Sequence, residues 1–178
     1  QMTEAWTWEH LALTRARAVA GDPALAAQVE DIRRAVLSAK STGAAVRSDV
    51  ADMRARLQAA KPALGALSVK DGPGRLMDIE LLAQTGALLA AAPARRTEAQ
   101  LLAARRAGVL DPASEAALLA AYRLCWRVQC VGRLLGQTAD SDTLGEGACA
   151  FLMRETGARD MDSLRADLAQ ATAGAAGI

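Results

Sequence analysis

Hydrophobic residues recur every three or four positions through most of this 178-residue chain, and glycine or proline separates the periodic stretches. This spacing places apolar side chains on one face of an α-helix, whereas a half-buried strand would alternate strictly. The first stretch predicts a helix over about residues 3–20, with Trp8, Leu11 and Val19 on one stripe. Because apolar residues also occupy its other sides, we expect this helix to pack at the centre of the core, among the other helices.

Two Asp-Pro pairs mark the starts of further helices. Asp22 precedes Pro23, and Asp111 precedes Pro112. An aspartate at this position accepts hydrogen bonds from first-turn amides, and proline suits the first helical position. The first pair opens a predicted helix to about residue 39, and the second opens the longest predicted helix, to about residue 135. The predicted inner face of the former consists of Leu25, Val29, Ile32 and Val36.

The remaining helices are predicted from periodicity and capping residues. They lie at about residues 44–60, 75–91, 97–108, 146–156 and 163–171. Thr97 and Gln100 are predicted to form a capping box. Residues 61–74 hold five glycine or proline breakers and are predicted to be a long connection. The Ala/Gly tail over 171–178 is predicted to be frayed. The expected fold is all-α: one helical bundle of about six to eight helices over residues 1–170.

Composition narrows the classes of function. The chain is 52% hydrophobic but only 3% aromatic, which favours helices and argues against an all-β fold. Twenty-one Lys and Arg against twenty Asp and Glu leave a net charge of +1, so nucleic acid is not an expected partner. With no apolar run of membrane-spanning length and no signal-peptide pattern, the chain is expected to be cytoplasmic and not bound to a membrane.

Residues for self-contained catalysis are scarce. His10 is the one histidine, which precludes a multi-histidine metal site. Cys125 and Cys130 are five positions apart, a spacing of neither a redox pair nor a zinc knuckle, so they and Cys149 are expected to be reduced core residues. There is no P-loop or dinucleotide-binding glycine pattern. We therefore assign no catalytic or metal-binding residue to this chain.

A pair of arginines stands out on the first predicted helix. Arg15 falls on the apolar stripe. Arg17 points to nearly the opposite side, because side chains two positions apart are rotated by about 200° around the helix axis. An arginine on an apolar stripe needs an anion. The anion is either a ligand or a carboxylate of another helix. Alternatively, the side chain extends to solvent at the edge of the bundle.

A glycine-rich turn with two cations precedes the fourth predicted helix. Gly72 and Gly74 flank a proline, between Lys70 and Arg75. Amides at a helix start, together with these cations, favour a phosphate or carboxylate, although the same pattern forms an ordinary turn.

Two carboxylates follow this turn. Asp78 lies near the helix start, where negative charge is favoured in any case. Glu80 shares a face with Met77, Gln84 and Leu88. We therefore expect it to be half buried and to need a cation such as Arg15 or Arg17.

Four strings in this chain together resemble a known family. They are residues 8–17 (WEHLALTRAR) followed by Gly-Asp-Pro at 21–23, residues 49–54 (DVADMR), residues 69–84 (VKDGPGRLMDIELLAQ) and residues 121–127 (AYRLCWR). This combination resembles the helical domain of glutamine synthetase adenylyltransferase, over about residues 8–168. Arg75 stands where the family usually has glycine, and Leu81 where it usually has phenylalanine.

The resemblance implies a function for the chain within a larger enzyme. The family attaches AMP from ATP to a tyrosine of glutamine synthetase and removes it again, with magnesium held by carboxylates of a nucleotidyltransferase domain that would precede this chain. The Gly-Pro-Gly form resembles the adenylylating, C-terminal half. The resemblance places this set toward nucleotide or substrate: Arg15, Arg17, Lys70, Gly72, Gly74, Asp78 and Glu80.

The implied partners are the nucleotidyltransferase domain, glutamine synthetase and the PII signal protein. Two alternatives stay open: the helical domain of the related PII uridylyltransferase, and a non-enzymatic helical interaction module.

Overall fold

A computed structural model describes residues 4–40, 44–63, 65–136 and 144–178. Within these ranges the chain forms eight α-helices and no strand, which confirms the predicted all-α class. The helices are α1 (Thr7–Arg15), α2 (Pro23–Lys40), α3 (Ala44–Ala60), α4 (Leu76–Leu89), α5 (Thr97–Arg106), α6 (Pro112–Leu134), α7 (Glu146–Thr156) and α8 (Met161–Ala176). None of the helices in these ranges is long and apolar enough to cross a membrane.

The chain divides into two compact units. The first unit comprises residues 1–55 and 80–115, and the second comprises residues 56–79 and 116–178. The unit boundaries fall inside α3, α4 and α6. That residues 1–170 act as a single domain stays a prediction.

Both predicted Asp-Pro helix starts are confirmed. The Asp22 carboxylate accepts from the amides of Ala24 at 2.7 Å and Leu25 at 3.1 Å. Asp111 does the same for α6, accepting from the amides of Ala113 at 2.8 Å and Ser114 at 2.9 Å. These bonds satisfy first-turn donors that have no partner within the helix, which is why α2 and α6 begin where the sequence predicts.

The first predicted helix is shorter than expected, and the prediction that it packs at the centre of the core is wrong. It ends at Arg15, and residues 16–20 are not helical. Trp8 is 55% exposed and Val19 is 81% exposed, while Leu11 is buried. Arginine side chains donate to the carbonyl groups at this end of the helix, as described below.

The predicted inner face of α2 is also wrong. Of its four apolar residues only Val36 is buried, whereas Leu25, Val29 and Ile32 are exposed. The helix instead buries Arg33, Val36 and Leu37. Arg33 can occupy a buried position because backbone carbonyls satisfy its guanidinium.

The start of α5 differs from the predicted capping box. Arg96, not Thr97, is the N-cap residue, and no side chain caps the helix. Thr97 is buried, and the Gln100 amide turns inward to donate to Thr14 Oγ1 and to the Ala94 carbonyl, both at 3.1 Å. Gln100 therefore connects helices instead of closing a helix end.

The core of the second unit is built on α6. Its buried residues are Leu67, Val69, Leu76, Cys125, Val128, Val131, Leu152, Leu164 and Leu168. Residues 171–176, predicted to be frayed, instead form the last turns of α8, with Thr172 and Ala175 buried. Small residues permit this, because they let the α8 backbone approach the glycine turn closely.

Candidate functional site

Arg15 and Glu80 form an ion pair within the first unit. Arg15 lies in the last turn of α1, and its Nη1 donates to Glu80 Oε2 of α4 at 3.0 Å. The sequence predicted that Glu80 needs a cation, and the pair confirms it. The side chain of Arg15 remains 48% exposed and that of Glu80 22% exposed, so the pair contributes little to stability and leaves the guanidinium accessible.

Arg17 lies beyond the end of α1. The sequence prediction placed it on the opposite side of the same helix from Arg15, but the helix has ended by residue 16. Arg17 is exposed and forms no ion pair within the described ranges. It lines a cavity with Arg95 and Glu30.

A buried arginine that sequence reasoning missed fixes the end of α1. Arg33 is 1% exposed. Its Nε donates to the Leu13 carbonyl at 2.7 Å, and its Nη2 donates to the carbonyls of Thr14 at 2.6 Å and Pro93 at 3.1 Å. The last carbonyls of a helix lack intrahelical partners and carry the negative end of its dipole, so a guanidinium is a favourable cap. Burial lowers the pKa of Arg33 below its usual value, although an arginine stays charged at neutral pH.

Glu30 and Arg95 extend this network. Glu30 pairs with Arg33 at 3.1 Å, with Arg34 at 3.0 Å and with Arg95. Arg95 also donates from Nε to the Ala16 carbonyl at 2.9 Å. Burial alone would raise the pKa of Glu30, but the Arg34 hydrogen bond and the charges of Arg33 and Arg95 outweigh it and lower that pKa. The segment that carries Arg15 and Arg17 is thereby held at its carbonyls.

The sequence did contain a signal for Arg33. It lies four positions after Val29 and three before Val36, at helical spacing within the apolar pattern of α2. The same criterion that singled out Arg15 would have identified it.

Several amides around the glycine turn of the second unit have acceptors within the chain. The Gly74 amide donates to Asp78 Oδ2 at 2.7 Å, and the amides of Leu76 and Met77 donate to carbonyls of the turn at 3.0 Å. Asp78 thus accepts from one of the amides that the sequence analysis offered to a phosphate or carboxylate. That an anion binds at this turn stays a prediction. Lys70 is exposed and forms no ion pair in the described part of the chain.

Gly72 and Gly74 have packing and conformational roles. Their φ angles are +109° and +66°, in the region that favours glycine. A Cβ on Gly74 would overlap the Thr172 carbonyl of α8 and lie 2.8 Å from the Ala176 amide nitrogen. The requirement for glycine at position 74 therefore comes from close contact between the turn and α8.

Within the ranges that the structure describes, the cysteines and the histidine do not assemble into a metal site. The cysteines are free, and burial raises the pKa of Cys125 to about 11, which keeps its thiol protonated. His10 is buried. Across the residues that the structure describes, no group of three His, Cys, Asp or Glu side chains could hold a metal ion. The predicted set is divided: Arg15, Arg17 and Glu80 lie in the first unit, and Lys70, Gly72, Gly74 and Asp78 lie in the second.

Comparison with known proteins agrees with the motifs. A family model described as GlnD PII-uridylyltransferase matches residues 44–176, and one described as glutamate-ammonia ligase adenylyltransferase matches residues 1–32. The chain is 36% identical over 172 residues to a bifunctional glutamine synthetase adenylyltransferase/adenylyl-removing enzyme of Mesorhizobium japonicum, covering 94% of this chain and 17% of that protein. The protein of the same name from Rhizobium meliloti is 43% identical over 130 residues, covering 67% of this chain and 13% of the relative.

The matches concern a small part of each relative. The chain spans about a sixth of the length of the Mesorhizobium japonicum protein. No solved structure matches the chain. The resemblance inferred from the four sequence strings is confirmed: the chain belongs to the family that the GlnD PII-uridylyltransferase model describes, among relatives named bifunctional glutamine synthetase adenylyltransferase/adenylyl-removing enzyme.

Proposed function

We propose that this chain serves as the helical domain of an enzyme that transfers AMP from ATP to glutamine synthetase, and that it is inactive alone. The observation that carries the proposal is 36% identity over 172 residues to a relative of that name. The same names favour this function over uridylylation of PII, although the longer family match is described as PII-uridylyltransferase. A nucleotidyltransferase domain and glutamine synthetase are the proposed partners, and the PII signal protein is a proposed regulator.

We propose that this chain contributes to binding ATP but not to binding magnesium. The described residues do not fit a magnesium site, since no cluster of metal-ligating side chains is found among them. We assign magnesium to the nucleotidyltransferase domain. ATP requires positive charge near its phosphates, and the exposed guanidinium groups of Arg15 and Arg17 supply it in the first unit. In this proposal Glu80 orients Arg15.

The residues of the second unit have a more limited proposed role. Lys70 is an exposed cation without an ion pair in the described ranges and is proposed separately as a contact for an anionic substrate. Asp78 holds the Gly74 amide, so it and the two glycines shape the turn that carries Lys70.

A chimera tests the proposal. The corresponding segment of the Mesorhizobium japonicum relative is replaced by this chain, and AMP transfer to glutamine synthetase and uridylyl transfer to PII are measured. We expect the chimera to transfer AMP and not UMP, and the isolated chain to transfer neither. A folded chimera without AMP transfer, or AMP transfer by the isolated chain above the background without enzyme, would refute the proposal.

A further inference from the structure

A cavity of about 280 Å³ opens beside the end of α1, within the first unit. Its charged lining consists of Arg17, Arg33, Arg95 and Glu30, and its apolar lining consists of Ala16, Ala18, Ala26 and Val29. Three arginines against one glutamate leave an excess of two positive charges in a concave surface. Like charges that line one cavity repel each other, and a bound anion would reduce this repulsion.

The carboxylate of the cavity is already in use. Glu30 pairs with Arg33, with Arg95 and with Arg34, which lies outside the cavity lining. One negative charge is thus shared by three guanidinium groups, and Arg17 has no part in it. The positive excess is therefore not neutralised by the residues that line the cavity.

Several hydrogen-bond donors at the cavity have no acceptor in the described ranges. The guanidinium of Arg17 forms no hydrogen bond there, and Arg95 uses Nε and Nη2 but not Nη1. The backbone amides of Arg17 and Ala18 do not join any backbone hydrogen bond of those ranges. Side-chain and backbone donors thus accompany the excess charge.

We propose that this cavity binds a phosphoryl group, with Arg17 and Arg95 donating to its oxygens and Arg33 as a fixed positive charge behind them. A phosphoryl group fits better than a carboxylate because it carries about two negative charges near neutral pH and offers three oxygens to planar guanidinium groups. The proposal deepens the proposed function, in which Arg17 faces a nucleotide. The group comes either from free orthophosphate or from a nucleotide.

Binding to the 178-residue chain tests the site without any transfer reaction. Orthophosphate is titrated by calorimetry at constant ionic strength, with chloride as the balancing anion and no divalent metal, and AMP is titrated in a second arm. The test variant is Arg17→Gln, which removes an exposed cation. The matched control is Arg127→Gln, which removes an exposed arginine of α6 in the second unit.

We expect saturable binding of one anion, weakened about tenfold or more by Arg17→Gln and unchanged by Arg127→Gln, as for the loss of a charge-assisted hydrogen bond. Much tighter Arg17-dependent binding of AMP than of orthophosphate would assign the group to a nucleotide, and equal binding would assign it to free phosphate. Absence of saturable binding in both arms, or equal weakening by both variants, would overturn the site. This experiment measures binding and not AMP transfer by the chimera. The phosphoryl site and the proposed function can therefore be refuted independently.

Discussion

The guanidinium of Arg33 lies against the carbonyl oxygen of Thr14, with Nη2 donating at 2.6 Å, and so joins the middle of α2 to the last turn of α1. Two neighbouring arginines of α2 use the same carboxylate in contrasting environments. Arg33 has a side chain 1% exposed, and Arg34 has one 61% exposed, yet both pair with Glu30.

Replacing Arg33 by methionine should destabilise the chain by about 3 kcal/mol, because the carbonyls that it caps and part of Glu30 would be left without a donor. Arg34→Met is the matched control, and we expect it to cost less than about 1 kcal/mol, as for an exposed ion pair. Urea unfolding followed by circular dichroism measures both. Equal losses for the two variants would show that burial of Arg33 is not what matters.

Substitutions in the Arg15–Glu80 pair test whether Arg15 contributes to AMP transfer or to the stability of the fold. Because the pair is partly exposed, Arg15→Met and Glu80→Gln should each change the unfolding free energy of this chain by less than about 1 kcal/mol. In the chimera, Arg15→Met should lower AMP transfer roughly tenfold or more, which corresponds to about 1.4 kcal/mol of transition-state stabilisation. A stable Arg15→Met chimera with unchanged activity would argue against the functional assignment, and a large loss of stability would make the pair structural.

Gly74→Ala should destabilise the second unit more than the same change at another glycine with positive φ. Gly74 has φ +66° and no room for a Cβ beside α8, whereas Gly157, the C-cap of α7, has φ +79° and nothing within 4 Å of the corresponding position. We expect Gly157→Ala to cost about 1 kcal/mol from backbone strain alone. Gly74→Ala should cost clearly more, as measured by thermal unfolding. A similar cost at both positions would mean that α8 shifts to accept the added carbon.

The stability of the first unit should depend on pH through Glu30. Burial would raise the pKa of Glu30, but the Arg34 hydrogen bond and the charges of Arg33 and Arg95 hold it below the usual glutamate value, so the folded state favours the ionised form. The corresponding stabilisation is therefore present above about pH 4.5 and is lost as the pH falls through the lowered folded pKa. Glu30→Gln should reduce stability at neutral pH and flatten the decline of Tm below about pH 4.5. An unchanged acid profile would contradict the role of this carboxylate.

Local signals in the sequence determined where most helices begin and end. Asp22 and Asp111 act on amides two and three residues away, so their caps could be read directly from the chain. The predicted bounds of α3 coincide with those of the structure. Glu80 could also be predicted to need a cation, because a carboxylate on an apolar face has few other options.

Tertiary structure decided which faces are covered and which polar groups are buried. Arg33 is stabilised in the interior by the carbonyl of Pro93, sixty positions away, and no local pattern specifies that contact. The structure also ends α1 at Arg15 and leaves Leu25 and Ile32 of α2 exposed, neither of which the helical spacing predicted. Likewise, the sequence does not show that position 74 must be glycine because of α8, which lies almost a hundred residues later in the chain. Capping residues and helix breakers set helix ends through contacts over a few residues. Burial of a side chain depends instead on which segments, distant in sequence, pack against it.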